Sequence, residues 1–260
     1  MTDELLYEVR DGIGRITFNR PQARNALTFA MYERLVEICQ EAGRDGSGVR
    51  ALLLTGAGEK AFAAGTDISQ FRAFKSPEDA LGYEARIDRV LGELEACPIP
   101  TIAAISGACT GGGAGIAACC DLRIAAANAR FGFPIARTLG NCLSMSNYVR
   151  LVALIGPAKV KEIIFTARLI EADEAKSIGL VSEVLPDTAS VLARGEELAK
   201  LVAANAPLTL RATKEAVRRV KQSMVPPEAH DLIVMCYMSA DFREGMDAFL
   251  NKRTPQWQGR

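Results

Sequence analysis

The sequence predicts an α/β fold with crossover connections, carrying a helical C-terminal region. Three observations predict it. Short apolar runs alternate with helical stretches through the front half of the chain. Two glycine-bearing segments, residues 61–68 and 107–116, interrupt that alternation as loops. Beyond Leu139 the pattern turns mainly helical.

Taken in order, residues 7–10 and 14–18 read as a hairpin, since Asp11-Gly12 supplies a tight turn. Thr28 is placed to cap a helix reaching about residue 42, with Met31, Leu35, Ile38 and Cys39 on one face. Residues 49–55 are apolar enough for a buried strand, ended by Gly56-Ala57-Gly58. A helix over 77–96 begins at Pro77, which suits a first turn. Pro98 and Pro100 punctuate the chain before a strand over 101–106. A small-residue helix then runs from Gly113 to Cys120, followed by a strand over 122–126. Further helices are expected at 144–154, 157–166, 171–177, 189–204, 207–222 and 227–240, with a short strand at 181–185. Pro226-Pro227 reads as a bend, not a linker. The expected division is a core over residues 1–200 and a helical region over 201–260.

Composition narrows the function. With 49% hydrophobic residues the 260-residue chain can bury a substantial core. Lysine plus arginine equal aspartate plus glutamate at 31 each, so the basic footprint of a nucleic-acid binder is missing. Seven cysteines, an odd number without C-x-x-C spacing, read as reduced thiols of a cytoplasmic protein. The acidic start, with no apolar run, reads as lacking a signal peptide. A single histidine, His230, and no clustered ligands argue against a metal site. Residues 99–120 carry no charge and are long enough to span a bilayer. Pro100 and five glycines within them favour a strand, a loop and a helix start over a membrane segment.

The glycine segments carry the chemistry. Both are loops whose backbone N–H groups can be left free to hold a developing oxyanion. One such fixed donor is worth about 3 kcal/mol in a dry site. Glycine lets the backbone approach closely, and a following helix start adds its positive end. The plainer reading of Gly111–Gly113 is a tight strand-to-helix turn. Neither G-x-G-x-x-G nor G-K-[ST] is present, which disfavours a nucleotide-phosphate loop. No Asp, Glu or His lies between Gly107 and Cys120 to move a proton.

Together the motifs resemble the crotonase superfamily, the enoyl-CoA hydratase/isomerase proteins. The resemblance rests on F-N-R-P-Q-A-R-N-A-L (18–27), L-L-L-T-G (52–56), A-F-A-A-G-T-D-I (61–68) and P-T-I-A-A-I-S-G-A-C-T-G-G-G (100–113). It continues through C-D-L-R-I-A (120–125), A-K-S-I-G-L-V-S-E-V (175–184) and E-G-M-D-A-F-L-N-K-R (244–253). It implies a spiral of β-β-α turns in the core and a C-terminal oligomerisation region, assembled as homotrimers or hexamers. It implies an acyl-CoA substrate and no separate cofactor, since CoA enters as part of the thioester. By position, Thr66 and Gly112 are the implied oxyanion-hole N–H donors. Ala23, Arg24 and Ala26, with Ala64, Gly65, Asp67 and Ile68, match segments that contact CoA. Phe249 and Lys252 match C-terminal positions that reach a CoA, often one held by a neighbouring subunit.

The chain also departs from the family pattern. Hydratases of the family carry one glutamate two residues after the G-G-G triplet and another after a proline in the next loop. Here those places hold Gly115 and Ile135. Hydration needs a base for water and an acid for Cα, so other side chains must be considered. Asp88 matches a position that holds an active-site histidine in a dehalogenase branch. Facing an apolar pocket it would have a raised pKa and act as a base. As a solvated helix residue it would pair with Arg86 or Arg89. Arg137 can clamp a substrate carboxylate. Asn141 can orient water or cap the next helix. Cys142 reads as a small buried thiol and Asp67 as a local loop-ordering acid. The expected activity is that of an enoyl-CoA hydratase. The alternatives are another CoA-thioester reaction (isomerisation, decarboxylation or hydrolysis) and a non-catalytic acyl-CoA-binding oligomer.

Overall fold

A computed structural model describes residues 4–224 and 230–260. Strands β1 (Leu5–Arg10) and β2 (Ile13–Phe18) pair antiparallel around Asp11 and Gly12, both at positive φ. Helix α1 (Phe29–Ala42) follows, its first turn capped by Thr28, whose hydroxyl accepts from Met31 N–H. Next come β3 (Ala51–Gly56), β4 (Ala61–Ala64) and α2 (Pro77–Ala96), which opens on a Ser76/Asp79 capping box. Strands β5 (Thr101–Ile105) and β6 (Ala108–Thr110) lead into α3 (Gly112–Cys119). Strands β7 (Leu122–Ala126) and β8 (Arg130–Gly132) lead into α4 (Ile135–Thr138) and α5 (Met145–Thr166). The chain continues through β9 (Ile170–Glu171), α6 (Ala172–Ser177), β10 (Glu183–Leu185), α7 (Thr188–Ala203) and α8 (Pro207–Gln222). It ends with α9 (His230–Tyr237) and α10 (Ala240–Leu250).

Two sheets run side by side. One has the order β1-β2-β3-β5-β7-β10 and the other β4-β6-β8-β9. The pairs β3–β4, β5–β6 and β7–β8 each give one strand to each sheet before a helix. This is the β-β-α spiral that the resemblance implies.

The middle strands are buried on both faces, which is why they read as continuous apolar runs. Ile13, Ala51, Leu53, Ile102, Ala104 and Ile124 pack toward α7, through Val191 and Ala199. Their alternates Ile16, Leu52, Leu54, Ala103 and Ile105 join the main core with α1, α2 and α3.

Several expectations change. Strands β4, β6, β8 and β9 are only two to four residues long, and the sequence pattern does not separate them from loop. The helices expected at 144–154 and 157–166 are both present, as two segments of α5 separated at Gly156, whose φ of 74° and ψ of 157° are non-helical. Most of the last helix expected, 227–240, is α9, and α10 is an additional helix. Pro226-Pro227 lies outside the described residues. Residues 99–120 become β5, β6 and α3, and no helix among the described residues is long and apolar enough to cross a membrane.

Candidate active site

The two glycine segments meet. Leu27 N–H donates to Gly65 O at 2.8 Å and Asp67 N–H to Leu27 O at 2.9 Å, so residues 23–27 run alongside 64–67 as a short parallel bridge. Ala64 N–H adds a bond to Arg24 O at 3.1 Å. Arg24 and Asn25 hold left-handed backbone, with φ of 50° and 56°. Asn25, fully buried, makes that turn possible. Its Oδ1 accepts from Arg20 N–H at 2.9 Å, and its Nδ2 donates to Ala61 O at 2.7 Å and Ala57 O at 3.1 Å. Arg20 closes the assembly from outside, donating to Ala26 O and pairing with Asp67. Asp67 also accepts from the Ser69 hydroxyl and N–H, and these bonds with Arg20 offset the burial that would raise its pKa and leave it lowered.

Thus Ala23, Arg24, Ala26, Ala64, Gly65, Asp67 and Ile68 form one continuous surface segment. Phe249 and Lys252 sit at the far end of α10 and just beyond it, both exposed. Among the described residues, no hydrogen bond, ion pair or ring contact ties either to that segment.

The G-G-G turn packs against the same loop. A β-carbon on Gly111 would lie 3.3 Å from Gly65 Cα, and one on Gly112 would lie 3.1 Å from Thr66 Oγ1. On Gly113 it would fall 2.1 Å from Ala63 O. Close approach, beyond turn-making, therefore requires glycine here. Gly112 is the first residue of α3, so its N–H has no intrahelical acceptor. Among the described residues, no acceptor takes the N–H of Gly112 or of Thr66. The Thr66 hydroxyl is fixed between two phenols, Tyr32 at 2.9 Å and Tyr83 at 3.1 Å. Burial raises the pKa of both tyrosines, so they are neutral hydrogen-bonding groups.

Around this corner lies an aromatic wall. Tyr83 packs edge-on against Phe71 at 4.7 Å and lies near Phe29, Phe74 and Tyr237. Gly115 faces α2, where a β-carbon would lie 3.3 Å from Leu91 Cδ1. Ile135 is buried. Apolar contacts thus occupy both places where the family pattern puts a glutamate.

Two carboxyl groups, Asp88 and Glu84, project inward from α2. Asp88 does not pair with Arg86 or Arg89, as its solvated reading expected. Arg86 lies over the Phe29 ring at 4.9 Å, and Arg89 pairs with Glu33. Asp88 turns inward, accepts from the Ser144 hydroxyl at 2.7 Å and lies 3.6 Å from Arg150. Burial outweighs these partners and pushes its carboxyl up. One helical turn earlier stands Glu84, only 5% exposed, which accepts from the Tyr237 hydroxyl. Burial, aided by the charge of Asp88, pushes Glu84 up to about 7 against the hydrogen bonds from Tyr237 and the Ser144 backbone.

Asn141 is not a helix cap. Ser144 caps α5, accepting from Asn147 N–H at 3.3 Å, while Asn141 Nδ2 donates to the Tyr237 hydroxyl at 3.1 Å. Cys142 is half-buried, with Sγ 3.4 Å from Leu232 O. Arg137 is exposed on α4, with no side-chain hydrogen bond or ion pair among the described residues.

Sequence reasoning missed Tyr32, Tyr83, Glu84, Ser144 and Tyr237. Glu84 carried one usable signal, its i−4 spacing from Asp88 on an otherwise core-facing helix.

The enoyl-CoA hydratase/isomerase family model matches residues 8–260. The short-chain-enoyl-CoA hydratase of Clostridium acetobutylicum is 36% identical over 256 residues, covering 96% of each chain. A solved enoyl-CoA hydratase/carnithine racemase from Magnetospirillum magneticum superposes with a TM-score of 0.79 at 34% identity, covering 100% of this chain and 97% of that one. A methylmalonyl-CoA decarboxylase in complex with 2-nitronate-propionyl-CoA superposes with a TM-score of 0.90 at 25% identity over the whole of both chains. With the spiral fold and the paired glycine loops, these matches place the chain in the enoyl-CoA hydratase/isomerase family.

Proposed function

We propose that the chain is an acyl-CoA-processing enzyme that stabilises a thioester enolate, with enoyl-CoA hydration as its reaction. The observation carrying this reading is the meeting, at the start of α3, of Thr66 and Gly112, whose N–H groups no acceptor among the described residues takes. Two preorganised donors at one oxygen lower the cost of charge developing there. CoA arrives with the substrate, so the reaction needs no separate cofactor. The 23–26 and 64–68 segments would hold its adenine end. Phe249 and Lys252 would meet the CoA of a neighbouring subunit in a trimer or hexamer.

Asp88 takes the base role left open by Gly115 and Ile135. Its carboxylate accepts a proton from water as the water oxygen bonds to C3. The C2–C3 π electrons shift toward the thioester oxygen, which Thr66 and Gly112 hold. Return of a proton to Cα then collapses the enolate to the 3-hydroxyacyl thioester.

A second reading is favoured by the apolar surroundings of Gly115 and Ile135 and by the 0.90 superposition on a decarboxylase. Loss of carbon dioxide from a 2-carboxyacyl thioester generates the same enolate without a base for water. Arg137 would then meet the departing carboxylate.

The test is a panel of CoA thioesters with 2-enoyl, 3-enoyl, aromatic and dicarboxyl acyl groups, followed by mass spectrometry. Gain of water on an enoyl substrate, lost in Asp88→Asn, supports hydration. Loss of carbon dioxide or a moved double bond replaces the reaction within the same oxyanion assignment. Binding without product across the panel leaves an acyl-CoA-binding oligomer.

A further inference from the structure

We propose that Glu84 and Asp88 work as a coupled carboxyl pair, in which Glu84 holds the proton while Asp88 is charged and Tyr237 switches its hydrogen bond with Glu84's state. The inference takes the CoA-thioester site as given and concerns how that site handles protons.

The two side chains stand at i and i+4 on α2, so they project from one face. Ser144 lies against both, its hydroxyl bonding Asp88 at 2.7 Å and its backbone N–H favouring the charged form of Glu84. Two like charges so placed in a buried site resist joint ionisation. The environment decides which one keeps the proton. Asp88 has Arg150 at 3.6 Å and partial access to water. Glu84 is 5% exposed and, among the described residues, has no cation as a hydrogen-bond or ion-pair partner.

Other titratable groups face Glu84 from each neighbouring element. They are Tyr83 on α2, Tyr32 on α1, Tyr148 on α5, Cys142 in the loop before α5 and Tyr237 on α9. All are raised and stay neutral where the pair titrates. Cys236 on α9 contacts Cys142, and that partner holds its thiol below the ordinary value. Arg150, shared with Glu95, is the cation that acts on the pair, through Asp88.

Asn141 supplies an independent observation. Its Nδ2 donates to the Tyr237 hydroxyl, but its Oδ1 is buried without a partner among the described residues. With Glu84 ionised, the Tyr237 O–H donates to Glu84 and accepts from Asn141 Nδ2. With Glu84 protonated, the Glu84 O–H donates to the Tyr237 oxygen. The Tyr237 O–H is then released toward Asn141, whose amide turned over presents Oδ1 to it. The orphaned oxygen is thus the acceptor that the second state uses. Glu84 is a positioning residue here. Its proton keeps the pocket wall neutral while Asp88 carries the charge.

The test follows carboxyl infrared bands against pH in wild type, Glu84→Gln, Asp88→Asn and Tyr237→Phe, with pH profiles of kcat/KM. A carboxyl should titrate near pH 7 in wild type and vanish in Glu84→Gln. In Asp88→Asn it should move down by about one unit as the like charge disappears. In Tyr237→Phe it should move up, because a donor to the charged form is lost. The alkaline limb of kcat/KM should disappear in Glu84→Gln and return in Glu84→Asp. A Glu84 band at the ordinary carboxylate position, or one unmoved by Asp88→Asn, overturns the proposal. The bands need no turnover, so an inactive protein would sink the acyl-CoA reading without touching this one. Should Glu84→Gln fail to fold, the opposite shifts in the other two variants still decide it.

Discussion

Gly112 and Tyr32 meet so closely that a β-carbon on the first would lie 2.0 Å from the hydroxyl oxygen of the second. Tyr32 is fully buried, with its hydroxyl committed to Thr66, and cannot simply swing away. Gly112→Ala must therefore displace the start of α3, and with it the N–H assigned to the oxyanion. The expected result is a loss of kcat of about 10²- to 10³-fold, the range for losing one such donor. Overpacking should cost a further 1–3 kcal/mol or so of stability. Combining it with Tyr32→Phe should recover part of both, since removing the oxygen relieves the contact. Additive losses in denaturation and kinetics would contradict this geometry.

Asn25 holds the turn that brings the 23–26 segment against 64–67. Asn25→Ala leaves the buried carbonyl of Ala61, the half-buried carbonyl of Ala57 and the Arg20 N–H without their partner. Chemical denaturation should show a loss of about 2–4 kcal/mol, at the upper end for a buried hydrogen-bonding group. KM for any CoA thioester should rise with it, whatever the acyl group. A change in acyl preference at constant stability would argue against this role.

Stability should also depend on pH through Glu84. Its carboxyl is raised from an ordinary 4.5 to about 7, so between those values the folded state binds more protons than the unfolded one. The stabilising contribution is complete below about pH 4.5 and is lost as pH rises through 7, by up to about 3 kcal/mol. Denaturation midpoints measured across that window should fall with pH in wild type and stay flatter in Glu84→Gln. Equal slopes in the two proteins would show that Glu84 titrates normally.

Arg137 separates two kinds of substrate. It is exposed and has no ion pair among the described residues, which leaves it available to a second carboxylate on the acyl group. Arg137→Ala should raise KM for dicarboxyl thioesters about 10- to 100-fold, the worth of a charge-assisted bond, and spare monocarboxyl ones. Unchanged dicarboxyl turnover would remove Arg137 from the site.

Much of this was legible from local rules. The Asp11-Gly12 turn, the Thr28 cap and the doubly buried strands follow from backbone chemistry and continuous apolar runs. The helix over 207–222 has the bounds that Pro207 and its amphipathic pattern predict. The site was only half legible. Glycines mark a loop in any sequence, and the motifs gave Thr66 and Gly112 their places. What surrounds them is set by contacts distant in sequence. Glu84 meets Tyr237 across 153 residues and Asp88 meets Ser144 across 56. No local pattern announces such pairs, so the surface reading of Asp88 gave way to an inward one, and Asn141 proved a partner of Tyr237, not a cap.

The most direct measurement is exchange of the α-hydrogen of a bound saturated acyl-CoA with deuterium oxide, followed by mass spectrometry. Enolate stabilisation at Thr66 and Gly112, with a carboxylate on α2 as base, predicts a steady mass gain. That gain should slow in Gly112→Ala and stop in Asp88→Asn. A thioester that binds fully and never exchanges would contradict the account at its centre.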